Sequence, residues 1–274
     1  MIKTKFLILA ILLTLPTFSY AQTEFDSAMS ALKKGDYEIA MKKMLPLAKT
    51  GNARAQNMIG FMYYQGLGVD QSYIDAVKWY RKAANLGLAD AQTSLGLMYQ
   101  VGQGVEQNFA VALKWFKKAA DQGYANAQYL LANMYHEGKG IKQDYAKSFE
   151  LFLKAANQGL SFAQASLGSM YQNGQGVQQN YGEALKWIQK SADQGYPIGM
   201  YLLANTYMEG LGTKKDLIQA YAWYGLAAAG GIKMAETIRG KIEPKLTSSQ
   251  LDKALKLAKQ LRDKIQGTSE ADDN

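Results

Sequence analysis

The sequence predicts an all-α fold, a solenoid of tandem helix hairpins. Three observations predict it. A 36-residue pattern occurs five times in register, at 52–87, 88–123, 124–159, 160–195 and 196–231. Each copy carries two apolar stripes at helical spacing, separated by a glycine-rich break. Helix-capping residue types return at the same phase in every copy. A fixed period of this length marks a repeat architecture. One helix pair cannot bury its own apolar faces, so neighbouring units must cover each other.

The opening 21 residues read as a secretory signal peptide. Lys3 and Lys5 form a basic start, and residues 6–15 are an apolar run too short to span a bilayer comfortably. Ser19 and Ala21 are small residues suited to cleavage after Ala21; an uncleaved anchor is the alternative. No cysteine follows to carry a lipid, and no later run is apolar for long enough to cross a membrane. The localisation expected is periplasmic or secreted.

Residues 22–51 read as a divergent capping repeat. Phe25, Ala28, Met29 and Leu32 make a short amphipathic helix. Gly35-Asp36 is a compressed turn, and Tyr37, Ala40, Met44, Leu47 and Ala48 continue as a second helix, with Pro46 expected to kink it.

The repeat 88–123 stands for the other four. Ala91, Leu95, Met98 and Tyr99 fall on one stripe of a first helix. Gly102 and Gly104 break it, because glycine accepts left-handed turns. A second helix starts near Asn108, with Phe109, Ala112, Leu113, Phe116 and Ala119 on its apolar face. Asp36, Ser72, Asn108, Asp144, Asn180 and Asp216 precede the second helices and are good N-caps. Gly51, Gly87, Gly123, Gly159, Gly195 and Gly231 suit the left-handed residue that closes a helix. Small residues such as Gly60, Gly96, Ala132, Gly168 and Ala204 mark helix contacts, and Trp79, Trp115, Leu151, Trp187 and Trp223 share one position. Residues 232–266 read as C-terminal capping helices, and 267–274 as a flexible acidic tail.

Composition narrows the chemistry. The chain of 274 residues has no cysteine and one histidine, His136, which removes disulfides, thiol nucleophiles and multi-histidine metal sites. The formal charge is +8, about +6 once Lys3 and Lys5 are removed. Much of the lysine lies scattered along second helices, the pattern of a solvated outer face and not of a nucleic-acid footprint. The basic balance favours acidic partners or an anionic surface.

The pattern A-x-A-Q-x-x-L-G-x-M-Y-x-x-G-x-G-V, followed by a capped helix with A-x-x-W-[YF]-x-K-A-A-x-x-G, resembles the Sel1-like repeat, a relative of the tetratricopeptide repeat. The resemblance covers 52–231 closely and 24–51 loosely. It implies a right-handed superhelix whose first helices line a concave surface, and a scaffold or adaptor that binds a protein or peptide there. Exported bacterial members are often periplasmic or secreted, some at a host interface. A cysteine-rich bacterial branch suggests an alternative, an enzyme acting on β-lactam or cell-wall substrates. That branch carries a cysteine pair in each repeat, which this chain lacks.

First-helix positions outside the apolar stripe are the candidate partner-binding residues. They are Arg54, Asn57, Phe61 and Tyr64, then Asp90, Thr93, Leu97 and Gln100, then Asn126, Tyr129, Asn133 and His136. Phe162, Ser169, Gln172 and Asn173 follow, then Ile198, Tyr201, Asn205, Met208 and Glu209. This set varies between copies while the framework stays fixed, as a tailored surface requires. The aromatics would anchor a peptide and the asparagines would bond its backbone. No catalytic residue is assigned: His136 neighbours Glu137, but adjacent helical residues point apart. No cofactor, metal or nucleic acid is called for, and the chain reads as a monomer.

Overall fold

The computed structural model describes residues 21–272, with side chains through Gly267. The proposed signal peptide therefore lies outside the described residues except for Ala21. Among the described residues there are fourteen α-helices, one 3-10 turn and no strand. Helix α1 covers residues 21–34 and α2 runs Tyr37–Lys49. The five hairpins are α3 (Ala53–Gln65) with α4 (Tyr73–Asn85), α5 (Ala89–Val101) with α6 (Phe109–Asp121), α7 (Ala125–Glu137) with α8 (Tyr145–Asn157), α9 (Ser161–Asn173) with α10 (Tyr181–Asp193), and α11 (Pro197–Glu209) with α12 (Leu217–Ala229). Helix α13 (Lys233–Ile242), the 3-10 turn Glu243–Lys245 and α14 (Ser248–Asp272) complete the chain. The helices form two compact units, one ending at Ala127 and the other starting at Gln128.

Helix lengths follow from their caps. The side chains of Ser72, Asn108, Asp144 and Asn180 each accept from the backbone N–H three residues on, and Asp216 accepts from Ile218 and Gln219. Asp36 departs from the expectation. Its backbone is not extended and its side chain makes no capping bond, because the compressed Gly35-Asp36 turn brings the chain in at another angle. The first helices α3, α5, α9 and α11 end on Gly66, Gly102, Gly174 and Gly210 in the left-handed conformation. The second glycine of the break has a different task. A Cβ on Gly104 would lie 2.4 Å from the Tyr73 carbonyl oxygen, and one on Gly176 2.2 Å from that of Tyr145. The break thus rests on the first turn of the preceding repeat's second helix, an approach only glycine permits.

In the first unit the core runs from Phe25, Ala28, Met44 and Leu47 against Ala55 and Ile59 to Val77, Tyr80, Leu95 and Met98. Gly96 sits so close to Phe116 that a Cβ would be 2.6 Å from the ring, and Gly60 is held the same way against Tyr80. In the second unit Ala132, Phe152, Leu167 and Met170 form one cluster. A larger one joins Ile188, Leu203, Trp223 and Tyr224 to α13 and α14. Trp223 is buried while Trp79, Trp115 and Trp187 at the same repeat position are half-buried, because α13 and α14 pack on α12. Helix α14 runs on through Asp272, past the point where the sequence reading begins a flexible tail. No helix among the described residues is long and apolar enough to cross a membrane.

Three sets of glutamines tie the repeats. Gln56, Gln92 and Gln164 donate from their buried amides to the carbonyls of Ala48, Ala84 and Ala156 at 3.0–3.2 Å. Gln122, Gln158 and Gln194 donate to the Oε1 of Gln92, Gln128 and Gln164 at 2.8–2.9 Å. Gln71, Gln107, Gln143 and Gln179 donate to the carbonyls of Tyr64, Gln100, His136 and Gln172 at 2.6–2.9 Å. The second set has a gap. Leu86 stands where its glutamine would be, and the buried Gln56 Oε1 has no hydrogen-bond partner.

Candidate functional site

Two clefts open between successive first helices, each within one unit. The first, of about 340 Å³, lies between α3 and α5; Phe61, Tyr64, Leu97 and Val101 line it. The second, of about 310 Å³, lies between α7 and α9; Asn133, His136, Ser169 and Asn173 line it. These residues occupy the same four repeat positions. The supports match too. The Tyr64 ring leans on Tyr73 with centroids 5.3 Å apart, and its hydroxyl donates to Gln103 Oε1 at 3.2 Å. The His136 ring leans on Tyr145 at 5.1 Å, and its Nε2 hydrogen-bonds Gln175 Oε1 at 3.3 Å. The floors are Tyr80 with Met98 in one and Phe152 with Met170 in the other. Burial pushes the Tyr80 hydroxyl far above the ordinary tyrosine range, so the floor stays neutral.

The other predicted residues are distributed as follows. Arg54, Asp90, Asn126 and Glu209 are exposed. Arg54 stacks on Phe25 at 4.5 Å, and Asp90 accepts a hydrogen bond from Tyr124. Burial, and then this carboxylate, raises the Tyr124 hydroxyl pKa. Tyr129 packs edge-on to Phe162 at 4.4 Å, and Phe162 meets Tyr196 at 6.4 Å, a short aromatic series on the second unit. Tyr201 and Asn205 converge on Tyr224, whose hydroxyl donates to Asn205 and whose pKa is raised, burial first. Gln172 donates to Thr206 Oγ1 at 3.2 Å; in the next repeat Leu211 holds the place that Gln103 and Gln175 hold in theirs. Gln100 is half-buried, and Asn57 keeps a buried Oδ1 without a partner. Thr93 is a correction. It is 6% exposed and its hydroxyl donates to Ala89 O at 2.8 Å, so it faces no partner. Ala165 at the same repeat position is also buried: short side chains there are covered, whereas tyrosines 129 and 201 reach out.

Sequence reasoning missed Ser94, Ser166, Gln103 and Gln175, which complete the clefts. A signal for the glutamines was present. Between paired glycines the residue is Leu67, Gln103, Lys139, Gln175 and Leu211 in turn, and glutamine marks the two repeats that close a cleft.

Tandem, mutually capped helix hairpins with variable first-helix faces define a class, the helical-repeat interaction modules. The particular family follows from comparison: the Sel1 repeat profile matches at residues 53–88, 89–124, 125–160, 161–196 and 197–232, and the chain belongs to the Sel1 repeat family. A Sel1 repeat protein from Oxalobacter formigenes is 30% identical over 86% of this chain and 96% of its own, with a TM-score of 0.76. A protective antigen of uropathogenic Escherichia coli with an SLR fold is 27% identical over 89% of this chain and 69% of its own, with a TM-score of 0.44. No curated protein matches the chain. Sel1 repeat proteins are typically protein–protein interaction scaffolds and generally non-catalytic.

Proposed function

We propose that this protein is an exported scaffold that holds a protein or peptide segment along its first helices. The observation that carries the reading is the recurring cleft: one backbone geometry and one pair of supporting bonds, lined apolar in one unit and polar in the other. A framework residue has no reason to change chemistry at a fixed position; a recognition residue does. Phe61, Leu97 and Val101 are exposed apolar side chains on one cleft rim, a feature that marks interaction surfaces. Export is supported by the basic and apolar opening of the sequence and its small residues before Gln22.

The test has two parts. Mass spectrometry of the chain from its native envelope should find an N-terminus at Gln22; a chain beginning at Met1 contradicts export. Crosslinking followed by affinity capture should lose its partners when Phe61, Tyr64 and Tyr129 are all changed to alanine. If the triple variant captures the same partners equally well, the first-helix reading fails.

A further inference from the structure

We infer that the α7/α9 cleft is a receptor for a primary carboxamide, the side chain of an asparagine or glutamine in the bound segment; this rests on the reading above. Besides the His136 imidazole, which is hydrogen-bonded to Gln175, the cleft is lined by neutral side chains, with no carboxylate, ammonium or guanidinium among them. Among the described residues, the side chains of Asn133, Ser166, Ser169 and Asn173 make no hydrogen bond within the protein. Gln175 spends its oxygen on His136 and keeps its amide N–H groups. Uncommitted donors and acceptors therefore converge on one space of about 310 Å³, the lower end of the range for ligand clefts. Such a site excludes an apolar side chain, because filling it would strip water from polar groups and return nothing.

A carboxamide fits better than a sugar. A carboxamide offers two N–H donors and an acceptor in one plane, the complement of what Asn133, Asn173 and the serines present. The molecule already joins amide to amide, in the bonds of Gln158 to Gln128 and Gln194 to Gln164. A sugar ring wants an open aromatic face, and the one benzene-type ring lining the cleft, Phe152, is only 2% exposed. At the same register in the first unit, Leu97 and Val101 replace Ser169 and Asn173, so that cleft takes an aliphatic side chain instead.

The experiment uses the purified, isotopically labelled protein and three probes followed by NMR: N-acetyl-glutamine methylamide, N-acetyl-leucine methylamide and N-acetylglucosamine. The glutamine probe should shift the side-chain amide signals of Asn133, Asn173 and Gln175 and bind about tenfold tighter there than the leucine probe, the scale of one hydrogen bond. Ser169→Leu with Asn173→Val should abolish that preference. The reciprocal pair, Leu97→Ser with Val101→Asn, should create it in the α3/α5 cleft; either pair alone suffices if the other does not fold. Equal binding of the glutamine and leucine probes, occupancy by the sugar alone, or no shift with any probe overturns the assignment. Partner capture that survives Ser169→Leu with Asn173→Val but not the aromatic triple variant defeats this inference alone. Capture that survives both defeats the scaffold reading as well.

Discussion

Between α3 and α5, a phenylalanine, a leucine and a valine face one another across Tyr64; at the same register between α7 and α9 stand Asn133, Ser169 and Asn173 around His136. Beneath them both clefts have an aromatic ring and a methionine, Tyr80 with Met98 and Phe152 with Met170. Each central ring rests on the first tyrosine of the following helix and is hydrogen-bonded by a glutamine 39 residues on. The framework fixes where a side chain is presented and leaves its chemistry free. A solenoid tolerates this division because its stability is a sum over units and neighbours, so lining residues change without disturbing a shared core.

The largest effect should come from removing a floor. Phe152→Ala should destabilise by about 3–5 kcal/mol and Tyr80→Ala by a comparable amount. Each should spare binding at the other cleft, read by urea denaturation together with the probe titrations above. Loss at both clefts from one change would break the comparison.

Next are the glycines that seat the closing glutamines. Gly104→Ala and Gly176→Ala place a Cβ within 2.2–2.4 Å of a carbonyl oxygen, at φ of +68° and +69°. Each should cost at least ~2 kcal/mol, from the left-handed backbone and the overlap together. A thermal melt of either variant matching the parent would show that the break does not set the cleft.

Leu86→Gln should act in the opposite direction. It supplies the partner that the buried Gln56 Oε1 lacks and should stabilise the first unit by ~1 kcal/mol. The same replacement in reverse, Gln122→Leu, should destabilise by a similar amount. Denaturant midpoints of the two variants, moving in opposite directions, would verify the glutamine set as a working contact.

The smallest effect is electrostatic. Asp75, on the helix behind the apolar cleft, has its pKa lowered by Lys78 and then Ser72. Asp144, capping the helix behind the polar one, is held low by the Lys147 amide and then its side chain. A carboxylate with a depressed folded-state pKa stabilises above its unfolded value of about 3.9 and loses that contribution as pH falls through the folded one. Stability should therefore be flat from pH 7 to about 5 and decline below about 4. Asp75→Asn with Asp144→Asn should reduce the acid-side slope measured by denaturation at each pH.

The framework was legible in the sequence because it is periodic. Ala91, Leu95 and Met98 declare a buried stripe, and Asn108 a cap, without knowledge of any distant residue. The cleft was half legible. Phe61, Tyr64, Asn133 and His136 could be picked from helical phase, since that phase sets which way a side chain leaves the axis. Gln103 and Gln175 could not, because they reach the site from a turn, where no period predicts direction. Thr93 misled for a related reason: phase gives the face, but the length of the side chain decides whether the neighbouring helix covers it.

Because the glutamine bonds join residues at fixed offsets of 7, 8 or 30 positions, the chain can be spliced. Excising residues 88–123 would join Gly87 to Tyr124 and keep the donors and acceptors of these three sets paired, while Lys139 takes the place of Gln103 beside Tyr64. A shortened chain that still melts in one sharp step would mean that length is a freely adjustable variable in this molecule, so lineages can lengthen or trim the binding face one cassette at a time.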